Sequence, residues 1–332
     1  MTAPVGVVAI GRNEGQRLRR CLTSLANRAA RVVYVDSGST DGSVALAQGL
    51  GADVVQLDPG LPFTAARARN VGIARLRQVA PALTLIQLVD GDCEVFPGWL
   101  ERAALTIEAD PGLAVVCGRR RERHPEASVY NRLCDLEWNT PVGPARLCGG
   151  DALMRAEALQ QVGGYDDTLI AGEEPDLCLR LRQHGWKILR IDADMTLHDA
   201  NMTRVGQWWR RSVRAGYAFA EGSARHGREP ERFWVRETRS NWFWGVGLPA
   251  AALGMALPTA GLSLSLGGAY LVLVRRIKRA MVRRGFSDDD AALYARYAVL
   301  SKLPQGLGQV RYWRTRLRGR PGRLIEYKGA GS

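Results

Sequence analysis

Cysteine and histidine are scarce: six cysteines, four histidines, and no C-x-x-C pair in 332 residues. Cys21, Cys93, Cys117, Cys134, Cys148 and Cys178 are widely spaced. They read as scattered thiols of a reducing compartment, with neither a disulfide framework nor a zinc site expected. No secretory leader is expected before Val5. Where a dinucleotide-binding chain carries G-x-G-x-x-G after its first strand, this one reads Gly11-Arg12-Asn13-Glu14-Gly15, which argues against a nicotinamide oxidoreductase. No G-x-x-x-x-G-K-[ST] occurs, which removes the P-loop ATPases.

Charge is missing over one long stretch. Ser240 to Val274 contains no Lys, Arg, Asp, Glu or His. Residues 275–332 then hold 15 Lys/Arg against 4 Asp/Glu, a net of +11 out of +13 for the whole chain. Basic residues scattered around a fold suggest nucleic acid; a basic block directly behind an apolar one suggests an anionic membrane lipid surface, and no nucleic acid. Thirty-five helical residues extend about 52 Å, short of the roughly 60 Å that two crossings need. Pro258-Thr259-Ala260-Gly261 breaks the middle, and arginines flank both ends. The sequence therefore predicts a short hairpin dipping into the bilayer, with one tilted span or a buried helix pair as alternatives. The domain reading follows: 1–235 catalytic, 236–279 a hydrophobic membrane hairpin, 280–332 a basic amphipathic membrane-surface tail.

The first 200 residues alternate between strand-like and helix-like segments. Strands are expected at Val5–Ile10, Arg31–Val35, Asp53–Leu57 and Leu83–Val89, with helices near 15–27, Ser43–Leu50 and Ala65–Val79. Polar or glycine-rich residues follow the strands. This is the pattern of an open, mostly parallel α/β sheet with a ligand crevice at the carboxyl ends of its strands.

Chemistry-bearing residues collect at those ends. The run Leu83–Val89 stops at Asp90-Gly91-Asp92, where two carboxylates one residue apart can share a hard divalent cation or simply form an acidic turn. Asn13 and Glu14 end the first strand, Asp36 and Ser37 the second. Arg67 and Asn70 lie three apart on one helix face, suited to a nucleotide or to solvent. Gly150 and Asp151 follow a polar loop where a backbone can pass close to substrate. Glu173, Glu174 and Asp176 open a helix; they favour its N-terminal dipole, or one of them serves as a general base. His198 ends a further apolar-leaning run. Gln207 and Arg210 begin a helix-like segment able to meet a diphosphate or a membrane surface.

Taken together these residues resemble the family 2 glycosyltransferases, inverting enzymes of the GT-A fold that use nucleotide-sugar donors. The resemblance covers about residues 5–220. It rests on Ile10–Glu14, on Val35-Asp36-Ser37-Gly38-Ser39-Thr40-Asp41-Gly42-Ser43, on Ala68–Gly72, on Val89–Asp92 and on Gly172-Glu173-Glu174. It implies a mixed, mostly parallel sheet flanked by helices, plus C-terminal membrane-associated helices. Asn13, Glu14, Asp36, Ser37, Arg67, Asn70 and Asp90 are then expected on the donor nucleotide. Asp92, Asp90 and His198 are expected at Mn2+ or Mg2+, and Glu174 or Glu173 as base, the glutamate at 174 standing where the family usually has an aspartate. Gly150, Asp151, Gln207 and Arg210 are expected to contact acceptor or diphosphate. The Leu303–Lys328 tail is similar to that of bacterial members tied to surface polysaccharide assembly.

The function implied is metal-dependent transfer of a sugar from a nucleotide diphosphate donor to a hydroxyl acceptor, a lipid-linked saccharide. It is expected at the cytoplasmic face of a bacterial inner membrane. Two other classes compete: a catalytically silent membrane scaffold of the same fold, and a sugar-phosphate nucleotidyltransferase. The first would be marked by loss of Asp90 or Glu174. The second would need a glycine-rich, lysine-bearing loop where Arg12-Asn13-Glu14 stands.

Overall fold

Strand β1 (Val5–Gly11) is buried on both faces, so it belongs inside a sheet covered by helices on either side. The computed structural model describes residues 2–319. In it β1 lies between β2 (Arg31–Asp36) and β4 (Leu85–Asp90), parallel to both, and β3 (Asp53–Gln56) extends the parallel half beyond β2. The sheet continues from β4 through antiparallel β8 (Ala152–Arg155) to β6 (Leu113–Glu122). Beyond β6 come parallel β9 (Lys187–His198) and antiparallel β5 (Cys93–Val95), with the two-residue β7 (Gly143–Pro144) also on β9. The result is a mixed, largely parallel sheet of nine strands.

Helices α1 (Gln16–Leu25), α2 (Ser43–Gly49), α3 (Ala65–Val79), α4 (Trp99–Ala109), α6 (Ala156–Gln161) and α7 (Glu173–Gln183) flank the sheet, and α5 (Val129–Trp138) lies between β6 and β7 in sequence. Amphipathic spacing accounts for α1, which buries Leu18, Cys21, Leu22 and Leu25. Helix α3 approaches β1 so closely that a Cβ on Gly72 would lie 2.2 Å from Val8 Cγ1, so only glycine fits there. The expected strands and helices of the first 90 residues all form, with ends within two residues of those read from the sequence. Leu83 and Thr84 precede β4 instead of opening it.

By its internal contacts the chain divides into two units, Met1–Ala127 with Glu137–Asn201, and Ser128–Leu136 with Met202–Ser332. The second unit contains most of α5 together with α8 (Val205–His226), α9 (Val235–Trp242), α10 (Leu248–Gly254), α11 (Gly268–Arg283), α12 (Asp288–Leu300) and α13 (Lys302–Leu317). Tyr217 of α8 meets Tyr312 of α13 edge to face at 5.3 Å, and Arg132 of α5 pairs with Asp290 of α12 at 2.7 Å.

The membrane expectation is overturned here. Among the described residues no helix is long and apolar enough to cross a bilayer. The uncharged stretch is cut into pieces: the end of α9, a π-helical turn at Phe243–Gly247, the seven residues of α10, a 3-10 segment at Leu262–Gly267, and α11. Pro249 opens α10, and the chain leaves helical geometry between Met255 and Gly261, where Gly261 has φ +86°. Seven residues rise only about 10 Å, and α11 carries Arg275, Arg276, Lys278, Arg279 and Arg283 from its midpoint on. The C-terminal membrane-associated helices, the transmembrane hairpin and the inner-membrane placement drawn from them are therefore corrected. The segment Leu324-Ile325-Glu326-Tyr327-Lys328 lies outside the described residues.

Candidate active site

Strand register assembles the site. Gly11 pairs with Asp36 across β1 and β2, and Ile10 with Asp90 across β1 and β4, so the carboxyl ends of three strands share one edge. On the far side, His198 at the end of β9 pairs with Cys93 of β5 and with Glu122 of β6. Asp92, one residue before Cys93, is thereby carried to His198.

The two aspartates separate into different surroundings. Asp92 is buried; its Oδ2 lies 3.3 Å from His198 Nε2. His198 Nδ1 lies 3.3 Å from Glu122 Oε2 and its ring packs edge-on against Trp138 at 4.8 Å. Carboxylates thus face both ring nitrogens, and a carboxylate on Nδ1 is the arrangement found behind metal-bound imidazoles. Asp92, Cys93 and His198 form a cluster positioned to coordinate a divalent cation. Asp90 instead sits between two arginines: Arg69 Nη2 donates to its Oδ1 at 2.9 Å, and Arg120 Nη2 to its Oδ2 at 3.2 Å.

Arg69 is the hub of the acidic half. Buried among apolar residues, it reaches Asp90, Glu173 Oε1 at 3.3 Å and Glu174 Oε1 at 2.9 Å, with Tyr165 beneath its guanidinium. The two glutamates differ in access, with 5% of the Glu173 side chain exposed and 18% of Glu174. Burial, and then the neighbouring Glu173 carboxylate, push Glu174 up to about 7, although Arg69 pulls the other way. Asp151, fully buried, ties the halves together. It accepts from the Asp90 backbone N–H at 3.0 Å, from Thr196 Oγ1 at 2.6 Å and from Arg120 at 2.8 Å. A Cβ on Gly150 would lie 2.3 Å from Arg69 Nη2 and 3.1 Å from both Asp90 Oδ2 and Glu174 Oε1, so the bare backbone passes directly over this network.

The residues expected around a nucleotide are largely engaged in shaping loops. Asp36, 1% exposed, accepts from Tyr34 OH at 3.1 Å and from the backbone N–H of Gly38 and Ser39 at 3.0 and 2.8 Å. Ser37 donates its N–H to Gly11 O, and Asn13 Oδ1 accepts from Thr40 N at 2.7 Å. Glu14 pairs with Arg17 at 2.9 Å. Arg67 folds onto the carbonyls of Asp58, Leu61 and Pro62, while Asn70 holds the loop at Tyr165 and Asp167. In the second unit, Gln207 Oε1 accepts from the N–H groups of Thr203 and Arg204 at 2.9 Å, closing the start of α8, and Arg210 is exposed one turn on.

Arg69, Arg120 and Glu122 were not among the residues picked out from sequence. Arg69 had a signal: it interrupts the apolar stripe Ala66, Ile73, Leu76 of α3. Arg120 and Glu122 carried no such signal, because register irregularities between Cys117 and Arg120 break the alternation of β6 before them.

Residues 7–161 match the family described as Glycosyl transferase family 2. This chain carries a family 2 glycosyltransferase domain. It is 30% identical over 238 residues to the pre-mycofactocin glycosyltransferase of Mycobacterium tuberculosis, covering 67% of this chain and 48% of that protein. The chain thus spans about half the length of that relative. It is 27% identical over 237 residues to the N-acetylglucosaminyl-diphospho-decaprenol L-rhamnosyltransferase of the same organism, covering 60% and 76%. The mannosyltransferase PcManGT of Pyrobaculum calidifontis, solved in complex with GDP-Man and Mn2+, superposes with a TM-score of 0.63 over 94% of this chain and 88% of that one, at 19% identity. That likeness concerns fold: the glycosyltransferase domain has a GT-A-like α/β architecture.

Proposed function

We propose that the domain transfers a sugar from a nucleoside diphosphate donor to a saccharide hydroxyl in a single inverting displacement. The observation that carries this reading is the sharing of Arg69 by Asp90 and Glu174, which holds a reachable carboxylate with pKa about 7 beside the aspartates that end β4. Glu174 removes the acceptor proton as the hydroxyl oxygen attacks the anomeric carbon, and a value near 7 suits a base working near neutral pH. Glu173, more deeply buried on the same arginine, sets the charge around it. Asn13, Glu14, Asp36 and Ser37 form the edge on which the nucleoside lies, bounded by the loops that Arg67 and Asn70 hold. Asp90, fixed between Arg69 and Arg120, would sit at the ribose or beside the cation's site.

Asp92 and His198 are the residues that would hold Mn2+ or Mg2+. An imidazole in the donor set tips the preference toward Mn2+, because Mg2+ takes oxygen ligands. When bound, the cation supplies positive charge opposite the leaving diphosphate. Gly150 gives the substrate room by withholding a side chain, and Asp151 keeps Asp90 and Arg120 in place.

The acceptor class we assign is a lipid-diphosphate-linked saccharide, in line with the acceptor printed in the rhamnosyltransferase's name. The test is nucleoside diphosphate release and product mass with a panel of nucleotide sugars, Mn2+ or Mg2+, and matched soluble and lipid-linked acceptors. Transfer is expected to be faster on the lipid-linked acceptor. D92N and H198N should each raise the Mn2+ needed for half-maximal activity, and weaken Mn2+ binding followed by electron paramagnetic resonance, by about 10- to 100-fold or more. Unchanged Mn2+ binding in both variants would remove the metal assignment. Equal rates on the two acceptors would remove the lipid-linked one.

A further inference from the structure

One pair of thiols stands apart from the isolated cysteines expected of this chain. Cys148 Sγ and Cys178 Sγ lie 3.4 Å apart. Cys148 belongs to the loop between β7 and β8 and is half-buried; Cys178 is buried in α7, one turn after Glu174. The loop is already fastened to the helix by Arg182, whose guanidinium donates to the carbonyls of Arg146 and Cys178. A disulfide needs an S–S separation of about 2.05 Å, so the sulfurs must close by a little over an ångström, a movement that loop residues 145–149 can supply.

We propose that Cys148 and Cys178 form a peroxide-oxidisable dithiol site that controls the loop over the carboxylate network. Cys148, the less buried of the two residues, attacks a peroxide oxygen. The O–O bond breaks, one water leaves, and Cys148 becomes a sulfenic acid. Cys178 then attacks the Cys148 sulfur, the S–S bond forms, and the sulfenic oxygen departs as a second water carrying the Cys178 proton. In total two thiols lose two electrons and two protons, and one hydrogen peroxide becomes two waters. The hydrogen bond between the thiols lowers Cys178 against its burial and, together with burial, raises Cys148 well above its ordinary range, so attack by Cys148 on peroxide is the slow step and Cys178 is the readier sulfur for the second.

The consequence follows from Gly150, two residues beyond Cys148. A Cβ there would lie 2.3 Å from Arg69 Nη2 and 3.1 Å from Asp90 Oδ2 and Glu174 Oε1, so this backbone runs close beside the network. Drawing the loop toward α7 therefore displaces either the backbone or the glutamate that lies four residues before Cys178. A displacement of that size at a reacting group lowers turnover about tenfold to a hundredfold. This consequence rests on the transferase reading above; formation of the bond does not.

The experiment treats the full chain with hydrogen peroxide, blocks free thiols, and maps tryptic peptides without reduction. The expected product links Leu147–Arg155 to Ala156–Arg180, lighter by two hydrogens than the separate peptides and released by dithiothreitol. Sulfinic or sulfonic acid at either cysteine without the link would overturn the site. In the rate arm, the untreated wild type and C148S turn over alike; peroxide slows the wild type at least tenfold, reversibly, and spares C148S. Equal loss in C148S would overturn the control of the loop. Mapping needs no activity, so absence of transfer before oxidation would count against the transferase reading alone.

Discussion

Glu174→Gln lowers kcat by about 100- to 10,000-fold and leaves the protein folded. Glutamine keeps the shape of the side chain and removes its capacity to take a proton. It also relieves a carboxylate that burial and Glu173 already push toward the neutral form, so no large loss of stability accompanies it. The wild-type pH profile carries the same information. A base must be deprotonated to work, so kcat/KM should rise with pH and level off above an apparent pKa of about 7. Glu173→Gln, which changes a more deeply buried neighbour, should lower the rate far less and move the rising limb to lower pH by removing a negative charge. Equal losses in the two variants would sink the choice of Glu174.

Arg69→Met produces the second large effect, on both stability and pH dependence. Its guanidinium is the shared partner of Asp90, Glu173 and Glu174. Removing one member of a buried ion network costs about 3–5 kcal/mol, because the remaining charges stay buried without compensation. Arg69 is also among the groups that hold the Glu174 pKa down. Without it that pKa rises, so the rising limb of the rate profile shifts above about 7 and part of the lost activity returns in alkaline buffer. Arg69→Lys keeps a positive charge but loses the fork that spans three carboxylates, and should fall between. Thermal unfolding measures the first effect and kcat/KM against pH the second. A limb that stays in place in Arg69→Met would contradict the role given to this arginine.

The parallel half of the sheet was legible because its signals are local. Apolar runs of strand length ending at Gly11, Asp36 and Asp90 alternate with amphipathic segments, and register then brings those ends to one edge. His198 beside Asp92 was also within reach as a pattern, although 105 residues separate it from Cys93, its partner across β5 and β9. What could not be read was how the charges divide. Asp90 and Asp92 look equivalent in sequence, yet Arg69 and Arg120 hold one and His198 faces the other. Arg67 and Asn70 were chosen as a helix face, whereas the arginine between them points inward; a charge inside an apolar stripe was the better signal.

The uncharged stretch misled for a physical reason as well. Hydropathy sums over residues as if they were one continuous helix, but Pro249, Pro258 and Gly261 divide this stretch into turns too short to span a bilayer. Leu257, 93% exposed, shows that these residues do not form a packed apolar pair either. Cys148 and Cys178 were unreadable as a pair, since their approach depends on where the β7–β8 loop crosses α7.

The anomeric configuration of the product tests the central claim most directly. Given an α-linked nucleoside diphosphate sugar, Mn2+ and acceptor, the proton NMR coupling of the new glycoside should report the β configuration. That is the outcome of one displacement with Glu174 as base. Retention of the α configuration, or no transfer with any donor, would contradict it.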